Sequence, residues 1–337
     1  MTRRTFLNKA AVTAAAAAVP ATAAPRTTMG VATTCYLSFA RYRETFEFLE
    51  KCAAMGAGGI QAGLSSTDPA YLKNVRSRAE ELGMYLEVMV GLPKGDSAAF
   101  ENSVKAAKEV GALCLRAGCL GGRRYETFSS LDQWKTFVAQ SKASLDAAVP
   151  VAERHKLPIA LENHKDWTVD EMTALLKSFS SEYLGCCIDT GNNIALLDDP
   201  MELVERLAPY ALSTHLKDMG VERWKNGFLL SELPFGEGAL DMKRIVATIR
   251  KARPNTRMTL EMITRDPLEV PCLSEKYWAT FPERSGRYLA RTLAYVASNA
   301  KGEALPRTKH LSKEAQISLE EDNVKQCLHY AHERLSL

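Results

Sequence analysis

The sequence predicts an α/β chain folded as one closed (β/α)8 barrel with a C-terminal helical extension. Three observations carry that prediction. Eight short apolar, β-branched runs alternate with longer segments of helical period. No linker or composition break divides the 337 residues, which are 46% hydrophobic and 25% charged, an ordinary globular make-up. The first run is not followed by a G-x-G-x-x-G turn, which weakens the alternative of an open doubly wound sheet. Alternation itself implies parallel strands, since antiparallel neighbours need only a hairpin and parallel ones need a crossover. Near-continuous apolar runs suit strands covered on both faces.

The strand candidates are MGVATTCY (29–36), GGIQAGL (58–64), MYLEVMVG (84–91), LCLRAGC (113–119), PIALENH (158–164), LGCCIDTG (184–191), ALSTHLKD (211–218) and RMTLEMI (257–263). Helix starts lie between them. Asp68-Pro69 and Asp199-Pro200 each place an N-cap before a proline at the first helical position, and Glu202 completes a capping box in the second. Thr168 and Glu171 form another box, followed by Met172, Leu175, Leu176 and Phe179 at helical spacing. Asp241 precedes Ile245 and Ile249, and Leu131, Trp134, Phe137, Leu145 and Ala148 mark a long fourth helix. Residues 219–238 read as an enlarged loop, and 270–284 as an aromatic-rich loop before a helix at 285–299. A tail helix over 318–335, opened by Ser318 and Glu321, carries Val324, Leu328, Ala331 and Leu335 on one face. It is expected to pack on the barrel or on a partner subunit of a homo-oligomer.

The N-terminus is not part of the fold. Arg3 and Arg4 precede Thr5, Phe6, Leu7 and an Ala-rich stretch, with small residues at Ala21 and Ala23 as in a cleavage site. This reads as a secretory signal of the twin-arginine type. An uncleaved anchor is the alternative, but the apolar part lacks the ~20 strongly apolar residues of a spanning helix. The expected organisation is a signal peptide over 1–24, a barrel over 25–300, and a linker and amphipathic helix over 301–337. Cleavage would leave the mature chain periplasmic or secreted, without a stable membrane anchor. A net charge of +3 gives no support for nucleic-acid or acidic-membrane partners. The eight cysteines include no C-x-x-C pair and lie mostly in core-like runs, so they read as packed thiols rather than disulfides or a structural zinc site.

In such barrels the active site forms at the carboxyl ends of the strands. The last four strand candidates each end on a ligand type: Glu162, Asp189, His215 and Glu261. Three carboxylates and an imidazole aimed at one point repel one another without a cation. With a divalent ion they form a mixed oxygen/nitrogen site, which favours Mn²⁺, with Mg²⁺, Co²⁺ and Zn²⁺ as alternatives. A surface or satisfied polar role suits any one of them alone, but poorly suits all four in consecutive units.

ALENH, CIDTGN, THLKD and TLEMI, in that order, resemble the xylose isomerase-like TIM barrel family. That family includes sugar isomerases, ketose 3-epimerases, inosose dehydratases and, more distantly, apurinic/apyrimidinic endonucleases. The resemblance implies that Glu162 and Glu261 bind metal and move protons, while Asp189 and His215 are ligands. The chemistry agrees. A metal chelated by a carbonyl and the adjacent hydroxyl acidifies the α-proton and stabilises an enediolate. Carboxylates on opposite faces then invert the carbon or isomerise the sugar.

One position departs from the family. Many of its epimerases carry histidine where this chain has Asn192, which hydrogen-bonds a hydroxyl but carries no proton. His164 is expected to contact substrate in its place. Arg116 and Lys217, sharing strand ends with the ligands, read as substrate contacts on a cationic rim suited to a carboxylate. Arg123, Arg124 and Lys165 read as solvated surface charge. Glu237, in PFGEGALD, resembles the family's loop after strand seven and is a further substrate contact. Trp224, Phe228, Trp278 and Phe281 either stack on sugar faces or only pack a lid.

The leading expectation is an exported, metal-dependent sugar isomerase or epimerase acting on a keto-sugar or sugar acid. The alternative is a lyase or decarboxylase on a 3-keto sugar or oxo-sugar acid, using the same site. A nuclease fits poorly, because three of the six histidines, His310, His329 and His332, lie in the tail. A binding protein without catalysis would not need both Glu162 and Glu261.

Overall fold

The computed structural model describes residues 26–337. The signal expected over 1–24 lies outside the described residues. The strands are β1 (Gly30–Ala32), β2 (Gly59–Ala62), β3 (Tyr85–Met89), β4 (Leu115–Ala117), β5 (Ile159–Glu162), β6 (Leu184–Asp189), β7 (Ala211–His215), β8 (Asp218–Trp224), β9 (Gly227–Leu233), β10 (Thr259–Leu260) and β11 (Leu268–Val270). The helices are α1 (Thr45–Ala54), α2 (Pro69–Leu82), α3 (Ala98–Glu109), α4 (Arg124–Thr127), α5 (Leu131–His155), α6 (Val169–Lys177), α7 (Pro200–Leu207), α8 (Met242–Ala252), α9 (Glu275–Trp278), α10 (Gly286–Asn299) and α11 (Lys313–Leu335).

Strands β1 to β7 and β10 form one parallel sheet in the order β10-β1-β2-β3-β4-β5-β6-β7. It closes where the Leu216 N–H donates to the Thr259 carbonyl at 2.8 Å and the Glu261 N–H donates to the Leu216 carbonyl at 3.0 Å. The expected caps are present: Asp68 accepts from the Tyr71 N–H, Asp199 from that of Glu202, Asp241 from that of Arg244, and Thr168–Glu171 is a complete box. Glu202 does not complete the second box; its carboxylate turns to Arg291 at 2.8 Å. All eight cysteines are free, and among the described residues no helix is long and apolar enough to cross a membrane.

Two segments differ from the expectation. The enlarged loop over 219–238 is a hairpin: β8 and β9 pair antiparallel, with Trp224 opposite Gly227, and β11 adds a third strand. Asn226-Gly227 carried the turn signal. At Gly227 φ is +148°, and a Cβ would strike the Val270 carbonyl. The hairpin is fastened by Asp218, whose carboxylate accepts from the N–H groups of Met219, Gly236, Gly238 and Leu240. Phe228, Tyr277, Phe281 and Val296 fill a second apolar core beneath it.

The tail helix begins at Lys313, earlier than expected, because Ser312 caps it by accepting from the Ala315 N–H. It packs on its own barrel. Val324, Leu328, Ala331 and Leu335 are buried. Lys51 of α1 pairs with Glu321 at 2.8 Å, and Arg250 of α8 donates to the Ser336 carbonyl at 3.2 Å. Helix α11 therefore fills the outer-layer gap between α8 and α1, while α10 packs against β8.

Candidate active site

Glu162, Asp189 and His215 are the last residues of β5, β6 and β7, and Glu261 follows β10 directly. Parallel register puts Asp189 beside His215. All four are buried, and one ligand atom from each lies within 4.8 Å of all the others.

The state of His215 decides what this cluster can do. Its Nε2 lies 2.6 Å from Gln61 Oε1. The Gln61 amide is oriented by donating through Nε2 to Glu87 at 2.8 Å, and Glu87 also accepts from Ser213 and Thr259. A carbonyl oxygen facing Nε2 makes that nitrogen the donor, so in the neutral ring Nδ1 carries the lone pair. Among the described residues Nδ1 has no hydrogen-bond partner, and it stands 3.4 Å from Glu162, 3.3 Å from Glu261 and 4.0 Å from Asp189. A lone pair and three carboxylates converging in a buried site fit a divalent cation. Asp189 is aimed by the Gly191 and Asn192 N–H groups, which donate to Oδ1 at 2.9 and 2.7 Å. Asn163 locks β5 to β6, accepting from the Asp189 N–H and donating to its carbonyl.

The residues beneath the ligands were not legible as site residues. Gln61 and Glu87 are single polar positions in apolar strands, and that interruption was the available signal. Replacing Gln61 with leucine should weaken divalent-metal binding by about 10–100-fold with the fold intact. Calorimetric titration with Mn²⁺ checks this, and an unchanged affinity would remove Gln61 from the site.

A cavity of about 420 Å³ opens over the cluster, lined by Arg116, Glu162, His164, Lys165, Glu261 and Arg265 among others. Arg116 touches Glu162, and His164 is on the wall with Nδ1 unpartnered among the described residues. Burial, then the charge of Lys165, pushes His164 down to about 3, so its ring is neutral. Asn192 and Lys217 do not line the cavity. Asn192 donates to Glu162 at 3.2 Å, and the Lys217 ammonium lies between Asp189 at 2.8 Å, Glu232 at 3.8 Å and Glu261. Burial opposes its charge, but Asp189, Glu261 and Glu232 outweigh burial and hold it protonated.

Glu237 is exposed on the β9–α8 turn and does not line the cavity. The carboxylate from this region that reaches the site is Glu232, paired with Arg265 at 2.7 Å. Burial opposes its charge, but Arg265 and then Lys217 bring it down to about 2. The surface reading fails for two cations. Arg124 is buried between the rings of Trp134 and Phe281, and Lys165 is buried on the cavity wall; only Arg123 keeps solvent contact. The lid aromatics pack rather than line: Phe228 and Phe281 are buried, Trp278 donates to the Cys272 carbonyl, and Trp224 lies against Leu229, Leu233 and Leu305.

Residues 49–279 match the family model described as xylose isomerase-like TIM barrel. The chain is 28% identical over 239 residues to the 3-oxo-isoapionate decarboxylase of Pectobacterium atrosepticum, covering 68% of this chain and 82% of that one. Among solved structures, 3-keto-D-glucoside 4-epimerase from E. coli superimposes with a TM-score of 0.54 at 14% identity, over 81% of this chain and 100% of that one. A xylose isomerase-like protein from Mycobacterium smegmatis in complex with magnesium gives a TM-score of 0.52 at 15% identity, over 73% and 88%. With eight parallel strands closed into a barrel and a match across most of its length, the chain belongs to the xylose isomerase-like TIM barrel family.

Proposed function

We propose that this protein is a metal-dependent enzyme that decarboxylates an oxo-sugar acid. The observation that carries the reading is the charge balance of the cavity wall taken together with the ligand cluster beneath it. Four carboxylates (Glu162, Asp189, Glu232, Glu261) meet four cations (Arg116, Lys165, Lys217, Arg265). A divalent ion adds two positive charges, leaving room for an anionic substrate rather than a neutral sugar. The likeness to a 3-oxo-isoapionate decarboxylase points to the same substrate class.

Glu162, Asp189, His215 and Glu261 would hold the ion, with Mn²⁺ or Mg²⁺ suited to three oxygen donors and one nitrogen. Bound there, such an ion would supply Lewis-acid stabilisation of the negative charge that loss of carbon dioxide leaves on oxygen. Arg116 and Arg265, on the cavity wall, orient the substrate carboxylate. The contact of Arg116 with the Glu162 carboxylate keeps its guanidinium at the ligand cluster. Lys217 stays inside the cluster, where its ammonium pairs with Asp189 and Glu261.

Epimerisation is the second reading, favoured by Glu162 and Glu261 approaching the same His215 nitrogen from β5 and from beyond β10. One experiment separates the two. The Mg²⁺-loaded protein is offered 3-oxo-isoapionate and other 3-oxo sugar acids in D₂O. Carbon dioxide release supports the decarboxylase; deuterium entering beside the carbonyl with the carboxylate retained supports the epimerase and overturns the first reading. We also place the reaction outside the cytoplasm, from the paired Arg3 and Arg4 and the Ala-rich stretch that follows. Loss of export in Arg3→Lys, Arg4→Lys cells is the expected result, and unchanged fractionation would reject it.

A further inference from the structure

We infer that Lys165 is the group that protonates the substrate carbon, held on the cavity wall by the side-chain amide of Asn192. This rests on the decarboxylase reading and deepens it.

Among the titratable groups that line the cavity, Glu126 is exposed and paired with Arg123, and each of the others is unsuited to that task. Glu162 and Glu261 are turned into the ligand cluster and engaged by Arg116 and Lys217. His164 is neutral, with burial and Lys165 depressing its proton affinity. Guanidinium groups such as those of Arg116 and Arg265 do not give up a proton. Lys165 is buried, lines the cavity, and donates through Nζ to Asn192 Oδ1. It has no carboxylate partner among the described residues.

Asn192 is a fixed platform. Its N–H donates to Asp189 at 2.7 Å and its Nδ2 to Glu162 at 3.2 Å. The Lys217 Nζ stands 3.5 Å from the same Oδ1 that accepts from Lys165. Two ammonium groups therefore converge on one amide oxygen. Lys217 has three carboxylates around it; Lys165 has none in contact. The groups facing Lys165 are Lys217 beyond β7, Glu232 on β9, Arg265 beyond β10 and Asp189 on β6. Burial first, then the charge of Lys217, bring Lys165 down to about 7, against the opposing pull of Glu232 and Asp189. The position that cannot carry a proton, Asn192, thus supports a neighbour that can.

The step balances. The bond between the carboxyl carbon and the carbon beside the ketone breaks, carbon dioxide leaves, and the electron pair passes into the enolate. A Lys165 Nζ–H proton forms the new C–H bond. The amine then regains a proton from water at the cavity mouth. Because the ammonium is the working form, protonation should fade as pH rises through about 7.

Two measurements test this on the Mg²⁺-loaded protein. The first is a titration of lysine labelled with ¹³C at Cε, the Lys165 signal assigned by its loss in Lys165→Met. A midpoint near 7, moving upward in Asn192→Asp, supports the inference. A midpoint above about 9, within the ordinary lysine range, overturns it whatever the substrate. The second is turnover of 3-oxo-isoapionate in D₂O. Wild type should place deuterium on one face of the carbon. Lys165→Met should still release carbon dioxide, about 10²-fold more slowly, with deuterium on both faces and no rate change near pH 7. Retained single-face labelling in Lys165→Met overturns the lysine's role. Absence of carbon dioxide from the wild type overturns the decarboxylase reading, and is read on a signal separate from the titration. Unchanged Mn²⁺ affinity in Lys165→Met confirms that the fold and ligand cluster survive the substitution.

Discussion

Glu261→Gln is expected to lower turnover by about 10³-fold or more and to weaken divalent-metal binding, while leaving the metal-free fold intact. The opposing effects can be ranked from the geometry. Without a cation, Glu261 Oε1 faces His215 Nδ1 and its two fellow carboxylates, and burial opposes its charge; His215 and Lys217 offset that and hold its carboxyl well below the usual range. Removing the charge relieves repulsion. Lys217 keeps Asp189 at 2.8 Å and Glu232 at 3.8 Å, so no unpaired buried cation is created. With a divalent ion the balance reverses, because a quarter of the donor set loses its charge. The measurement is a thermal melt with and without Mn²⁺. A ligand at a hundred times its Kd stabilises by about 2.7 kcal/mol, and the variant should lose most of that gain. Equal metal-induced shifts in both proteins would remove Glu261 from the ligand set.

Ending the chain after Leu311 should leave a protein that does not fold stably. The tail helix buries Val324, Leu328 and Leu335 against the barrel, and each such side chain contributes roughly 1.5–3 kcal/mol. Their loss amounts to about 5–9 kcal/mol, most of the 5–15 kcal/mol that holds a typical domain together. The milder Leu328→Ala should cost about 2–5 kcal/mol with the helix still docked. The damage would extend to the site. Glu320 accepts from the N–H groups of Ser38, Phe39 and Ala40, and Asn323 donates to Thr264 at 2.8 Å. These contacts steady the loops beyond β1 and β10, whose Leu37 and Ile263 wall the cavity. Circular-dichroism melts and gel filtration check the prediction. A truncated chain with the wild-type melting temperature would make the helix peripheral.

What was legible in the sequence was local. A strand announces itself by an apolar run, and its last residue is read from the same few positions. Glu162, Asp189, His215 and Glu261 could therefore be placed at strand ends before any contact was known, and closure of the barrel brings their ligand atoms within 4.8 Å. Caps at Asp68, Asp199, Thr168 and Asp241 are local in the same sense. The hairpin of β8 and β9 was less visible, although Asn226-Gly227 marked its turn, because the segment also fits an enlarged loop between strand and helix. The early start of α11 at Ser312 lay outside the apolar stripe that defined the helix.

Sequence by itself determined the barrel and the chemical types gathered at its carboxyl edge, because periodicity and strand-end position depend only on neighbouring residues. Tertiary structure alone decided which long charged side chains are buried. Lys165 and Arg124 look like solvated surface in the sequence, yet one is enclosed with Asn192 and the other between Trp134 and Phe281. Glu237 and Glu232 lie five residues apart on one segment, and only the fold turns the first to solvent and the second onto Arg265 and Lys217. The physical reason is that desolvation and charge pairing are set by groups distant in the chain, and no local pattern encodes them.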